Sequence, residues 1–180
     1  MSTPRQLRED GGGHVTWRVR VDARLADKPF GVVQLDISPR AHELGATDRI
    51  ILPNSLDFAD IPATQVEIVD VDRHAAEKFH GMTRDFGDRE NFRVRDLLDL
   101  VILLECELLT PAAVARDVRI VWRERDHAEP PRELPPFPPS WPDRYENLVR
   151  DHKDLETRSF PTAIARVQRL WAEMFPDRET

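Results

Sequence analysis

The chain has 180 residues, 40% of them hydrophobic, enough for one ordinary domain or two small ones with a sizeable core. Its formal net charge of -7 excludes whole-surface attraction to nucleic acid phosphates, so any such contact has to be local. The lone Cys106 excludes an intrachain disulfide framework, no apolar run reaches the ~18 residues of a membrane span, and MSTPRQLREDGGG lacks a secretory apolar segment, so the chain reads as cytoplasmic.

Taken in order, the residues up to Gly11-Gly12-Gly13 carry no apolar periodicity and predict a flexible lead over 1–14. From Val15 to Leu25 the pattern V-x-W-x-V-x-V-x-A-x-L alternates strictly, the period-two signature of a half-buried strand. ADKP turns the chain, and FGVVQLDI, Phe30 to Ile37, supplies a second strand and hence a hairpin. SPRAHELGATD is loop-like, RIILP is short and β-branched, and QVEIVDV alternates again, so 15–71 predicts mostly sheet.

At Asp72, a predicted N-cap, the period changes: Ala75, Ala76, Phe79 and Met82 recur at helical spacing until the break at Asp85-Phe86-Gly87-Asp88. A second helix is predicted from about Phe92 to Leu108, with Cys106 in its apolar run and therefore in the core. Thr110-Pro111 opens a third, through about Arg125, with a capping hydroxyl ahead of an N1 proline. HAEPPRELPPFPPSWP is too proline-rich for helix or central strand and predicts an extended spacer over 128–142. Two amphipathic helices follow, Pro142 to Leu155 and Pro161 to Phe175, the last with an apolar stripe of Ile164, Val167, Leu170, Trp171 and Met174. Trp141, Tyr145 and Trp171 read as core. The fold class expected is α+β, a sheet followed by a helical domain over 72–180.

The residues that carry chemistry cluster around the first two helices. Asp96 and Asp99 are three apart and share a helix face, and Lys78 lies on the preceding helix across a short loop, so the three can converge. An ammonium beside carboxylates suits a polyphosphate: the amine neutralises phosphate oxygens, and the carboxylates orient it or take a proton from an attacking hydroxyl. The same residue types also make ordinary helix–helix salt bridges. Residues 73 to 95 hold six Lys/Arg against four Asp/Glu in an otherwise acidic chain. That patch, with Arg84, Arg89, Arg93 and Arg95, suits phosphates or an RNA backbone and equally a solvated face. His80, about 200° round the helix from Lys78, reads as a packing residue. The histidines show no zinc-ligand spacing with Cys106.

AAEKFHGMTRD and RVRDLLDL, with VRVDARLADKPFGVVQLDIS before them and the proline-tryptophan segment after, resemble the AbiEii/AbiGii nucleotidyltransferase toxins, including their MenT-like members. The resemblance implies a polymerase-β-like nucleotidyltransferase sheet followed by a helical bundle. It also implies transfer of a nucleotide from a nucleoside triphosphate to an acceptor such as the 3′ end of tRNA, with Mg2+ as cofactor and a cognate antitoxin as partner. In those terms Lys78 binds the triphosphate with Arg84, Arg93 and Arg95, Asp99 is the helical catalytic acid supported by Asp96, and Asp36 matches a metal-binding carboxylate of the sheet. The family's Gly-Ser turn and Asp-x-Asp strand are not found before Val15; Asn54-Ser55-Leu56-Asp57 follows Asp36, in the wrong order. The sequence thus reads as the C-terminal two-thirds of such an enzyme, catalytic if those motifs lie upstream, and alternatively as a non-catalytic interaction module.

Overall fold

The computed structural model describes residues 3–9, 15–38, 45, 47–54 and 57–176. The chain divides into two compact units, Met1–Ala46 and Thr47–Thr180.

The first unit is a three-stranded antiparallel sheet of β1 (Arg5–Glu9), β2 (Val15–Leu25) and β3 (Lys28–Ile37) in the order β1-β2-β3. The β2–β3 hairpin closes through Ala26 and Asp27, whose φ values of 46° and 62° are both left-handed, the geometry that matches the twist of paired strands. Its register sets Trp17, Val19 and Val21 opposite Ile37, Leu35 and Val33, and Arg18 opposite Asp36. The alternation read from the sequence therefore sorts apolar side chains to one face and charges to the other. The prediction of a flexible lead over 1–14 is corrected at Arg5–Glu9, which pairs with β2. RQLRE has no alternation of its own; the open backbone edge of β2 holds it, a signal periodicity cannot carry. Most of SPRAHELGATD lies outside the described residues, as do His14, His42, Ser55 and Leu56.

The second unit begins with a two-stranded antiparallel sheet, β4 (Thr47–Ile51) and β5 (Gln65–Val69). The helices follow: α1 (Val71–Thr83), α2 (Val94–Glu105), α3 (Pro111–Asp126), α4 (Trp141–Leu148) and α5 (Phe160–Met174). Together the two units make a mixed helix-and-sheet, α+β protein, and no described helix is long and apolar enough to cross a membrane.

The core of the second unit lies among the helices. Phe79 of α1, Leu97, Leu100 and Val101 of α2, Val114, Val118 and Val121 of α3, Trp141 and Tyr145 of α4, and Val167 of α5 are fully buried. Trp171 of α5 is buried against Phe79 and Trp122, with ring centroids 5.1 and 5.9 Å away. The stripe read for the last helix thus faces inward, with Ile164 only partly buried. The proline-rich chain between α3 and α4 is held by Phe137 stacked on Trp141 at 5.1 Å and by the Trp171 indole donating to the Arg132 carbonyl at 3.2 Å.

Four local predictions shift. Asp70, not Asp72, caps α1, its carboxylate accepting from the backbone N–H of Asp72 and Arg73. Two aspartates two residues apart offer the same cap, and the earlier one leaves the backbone donors of the first turn satisfied. The α2 helix ends at Glu105, so Cys106 lies past the last turn and is exposed, not core. Thr110 stands at the N-cap of α3 without a side-chain cap bond. The α4 helix stops at Leu148 and gives way to a short 3-10 turn, Val149–Asp151.

Candidate functional site

The loop between α1 and α2 is fixed by one side chain. The Asn91 amide donates to the carbonyls of Gly81, Met82 and Arg84 at 3.0 to 3.1 Å, and its oxygen accepts from the Arg93 N–H at 2.8 Å. It therefore satisfies the end of α1 and the start of α2 together. The Asn91 carbonyl in turn accepts from the Trp141 indole at 2.7 Å, tying this junction to α4.

Held in this way, α1 and α2 bring Lys78, Asp96 and Asp99 together. The Lys78 Nζ lies 2.6 Å from Asp99 Oδ2 and 3.2 Å from Asp96 Oδ1, and Arg93 Nε lies 2.6 Å from Asp96 Oδ2. Asp96 is 5% exposed, against 19% for Lys78 and 31% for Asp99. Asp96 is thus the buried anchor and Asp99 the carboxylate that solvent reaches. Gly81 makes the approach possible, because a Cβ there would stand 2.5 Å from Asp96 Oδ2 and 3.1 Å from Arg93 Nη2.

Burial works against the Lys78 charge, but the hydrogen bond it donates to Asp99 and the charge of Asp96 outweigh it, so its pKa lies above the ordinary lysine value. The amine is a fixed cation at neutral pH. His74, one turn earlier on α1, has its pKa lowered by burial and then by Lys78. His80 is also lowered by burial, partly offset by Asp126, whose Oδ2 is 2.9 Å from Nε2. Its ring meets Trp122 edge-on at 4.9 Å, which makes it the packing residue its spacing suggested.

Beside this cluster opens a cleft of about 280 Å³ lined by His74, Glu77, Lys78, His80, Gly81, Arg84, Phe86, Arg93 and Arg125. Lysine and arginine side chains outnumber the one carboxylate in its lining. Asp96 and Asp99 are not part of that lining; they hold Lys78 from the α2 side. Arg125 pairs with Glu77 at 2.8 Å. Arg95 is exposed on α2 outside the cleft. The sequence reading missed His74, Glu77 and Arg125. The first two were accessible from helical spacing, four and one residues before Lys78, whereas Arg125 comes from α3 and only the packing of α3 on α1 brings it in.

Asp36 belongs to the first unit, where Arg18 holds it through two bonds of 2.7 and 2.8 Å and pulls its pKa below the usual carboxylate range. Among the described residues no group of three or more His, Cys, Asp or Glu is placed to hold a metal ion. With Asp36 taken by Arg18, and Asp96 and Asp99 by Lys78 and Arg93, these side chains do not fit a magnesium site as arranged.

A half-buried lysine fixed by two carboxylates thus stands at the edge of a cleft whose lining carries more cations than carboxylates. Residues 2–169 match the family described as nucleotidyl transferase AbiEii toxin, type IV toxin–antitoxin system, and the chain belongs to that family. No curated protein shows significant similarity to it.

Proposed function

We propose that the cleft binds the triphosphate of a nucleoside triphosphate and that the protein transfers the nucleotide to an acceptor hydroxyl such as the 3′ end of tRNA. One observation carries the reading: the charged Lys78 amine, fixed 2.6 Å from Asp99, lines a cleft with Arg84, Arg93 and Arg125. In the reaction the acceptor hydroxyl attacks the α-phosphorus and pyrophosphate leaves. Lys78, Arg84 and Arg93 neutralise the phosphate oxygens, and their fixed placement avoids reorganisation as charge shifts. Asp99, the more exposed carboxylate, is the group that receives the hydroxyl's proton, while Asp96 positions Lys78 and Arg93. Arg95 extends the basic surface toward the acceptor. The polymerase-β-like sheet, a divalent ion and a cognate antitoxin are what membership of a nucleotidyltransferase toxin family suggests.

A second reading is a non-catalytic interaction module. It is favoured by the same ion pairs, which already neutralise both carboxylates. Incorporation of labelled nucleotide into tRNA separates the two. Under the catalytic reading Lys78→Ala and Asp99→Ala each abolish incorporation, with Asp99→Ala changing thermal unfolding by less than about 1 kcal/mol. Wild-type protein without incorporation, or Asp99→Ala with full activity, overturns the catalytic reading.

A further inference from the structure

A second recess adjoins the cationic cleft, and its chemistry is different. It encloses about 250 Å³ between Phe86, Arg89, Glu90, Phe92 and Arg93, all on the loop from α1 to α2. Phe86 and Arg93 line both cavities, so the two share a wall. Phe92 is 55% exposed, so its ring is within reach of a ligand in the recess. The Arg144 guanidinium lies over it, 4.5 Å from the ring centroid, and Arg84 lies 5.5 Å from the centre of Phe86.

Two of the three charged side chains at this wall are already engaged. Glu90 accepts from the Ser140 hydroxyl, and Arg93 Nε is bonded to Asp96. A ligand that fills both cavities must be anionic at one end and flat and apolar-faced at the other, with few hydrogen bonds demanded at the flat end. Nucleotides have that form. Bases stack on aromatic side chains irrespective of sequence because every base presents a π-face, and arginine adds to such stacks.

We infer that the loop carrying Phe86 and Phe92 is the base-binding wall of the nucleotide site, holding the nucleobase by stacking while Lys78, Arg84 and Arg93 hold the phosphates. The inference rests on the phosphate reading of the cleft and adds to it where the rest of the nucleotide lies. Because recognition is through ring faces, the four common nucleoside triphosphates bind with similar affinity.

Calorimetric titration of the full chain with ATP and with inorganic tripolyphosphate tests it. Wild type is expected to bind ATP more tightly than tripolyphosphate. Phe92→Ala is expected to weaken ATP about 5- to 150-fold, the worth of base–aromatic stacking, and to leave tripolyphosphate unchanged. Lys78→Ala weakens both ligands alike. Phe92 is exposed, so its replacement leaves the melting temperature near wild type, and an unchanged far-ultraviolet circular dichroism spectrum verifies folding of both variants. ATP binding no more tightly than tripolyphosphate, or a Phe92→Ala protein that keeps the wild-type preference, overturns the base wall while the phosphate cleft stands. Failure of both ligands to bind wild type overturns the cleft and the wall together.

Discussion

Replacing Gly81 with alanine sets two effects of opposite sign against each other. Gly81 lies inside α1, where alanine is favoured over glycine by about 1 kcal/mol through helix propensity alone. Against this, the added methyl would fall 2.5 Å from Asp96 Oδ2, inside van der Waals contact, and Asp96 is too buried to swing into water. Either the helices separate or the carboxylate turns away from Lys78 and Arg93. Overpacking of a tight contact costs roughly 1 to 3 kcal/mol, and a hydrogen bond to a charged group is worth about 1.5 to 3 kcal/mol. The Arg93 bond is discounted because its side chain is 53% exposed. Steric and polar losses therefore exceed the propensity gain, and a net destabilisation of about 1 to 3 kcal/mol is expected, a fall in melting temperature of roughly 2 to 4 °C per kcal/mol. Urea unfolding of the Gly81→Ala protein gives the number, and ATP titration shows whether the Lys78 cluster has moved with it. A variant as stable as wild type, or more stable, would show that Asp96 has room to yield and would refute the reasoning.

Asn91→Ala leaves the carbonyls at the end of α1 and the Arg93 N–H without their partner and is expected to cost about 2 to 4 kcal/mol, measurable by urea unfolding. His74 and His80 have pKa values below the ordinary 6.5. Well above pH 6.5 both are neutral, folded or unfolded. As pH falls below it the unfolded chain takes up protons first, so stability declines until the folded values are passed. The urea midpoint should drop between pH 7.5 and pH 5, and His80→Gln should lessen the drop; an equal drop in that variant counts against His80. Tyr145, the sole tyrosine of the chain, has its pKa pushed up to about 12, first by burial and then by Glu105. Its tyrosinate absorbance should appear only near pH 12 unless the protein unfolds, and stability should fall as pH rises beyond 10, where the unfolded chain loses the proton first. Tyrosinate appearing near pH 10 in folded protein would refute the buried placement.

The hairpin of β2 and β3 and the stripe of α5 were legible because each pattern has the period of its own element, 2.0 or 3.6 residues, and needs no partner to be recognised. The meeting of Lys78 with Asp96 and Asp99 was legible for the related reason that a short loop leaves two adjacent helices few arrangements. What stayed hidden depends on contacts distant in sequence. The strand β1 borrows the edge of β2, and Arg125 reaches the cleft from α3. Gly81 reads in the sequence as a weak helical residue, and its necessity shows only against Asp96. Cys106 was misplaced because LLDLVILLECELL continues its apolar character past the point where the helix stops. Hydrophobicity marks what is buried on average, not where hydrogen bonding ends.

The Asn91 amide ties together two pieces of chain, one that carries the Lys78 cluster and one that lines the neighbouring recess. Lysine and aspartates ride on rigid helices, whereas Phe86 and its neighbours up to Glu90 belong to a short span whose closing knot is made by backbone carbonyls rather than by its own side chains. Exchanging residues within that span leaves the knot tied and the cations in place. The lining of the recess can therefore be rewritten in a handful of codons while the Lys78 cluster is left intact.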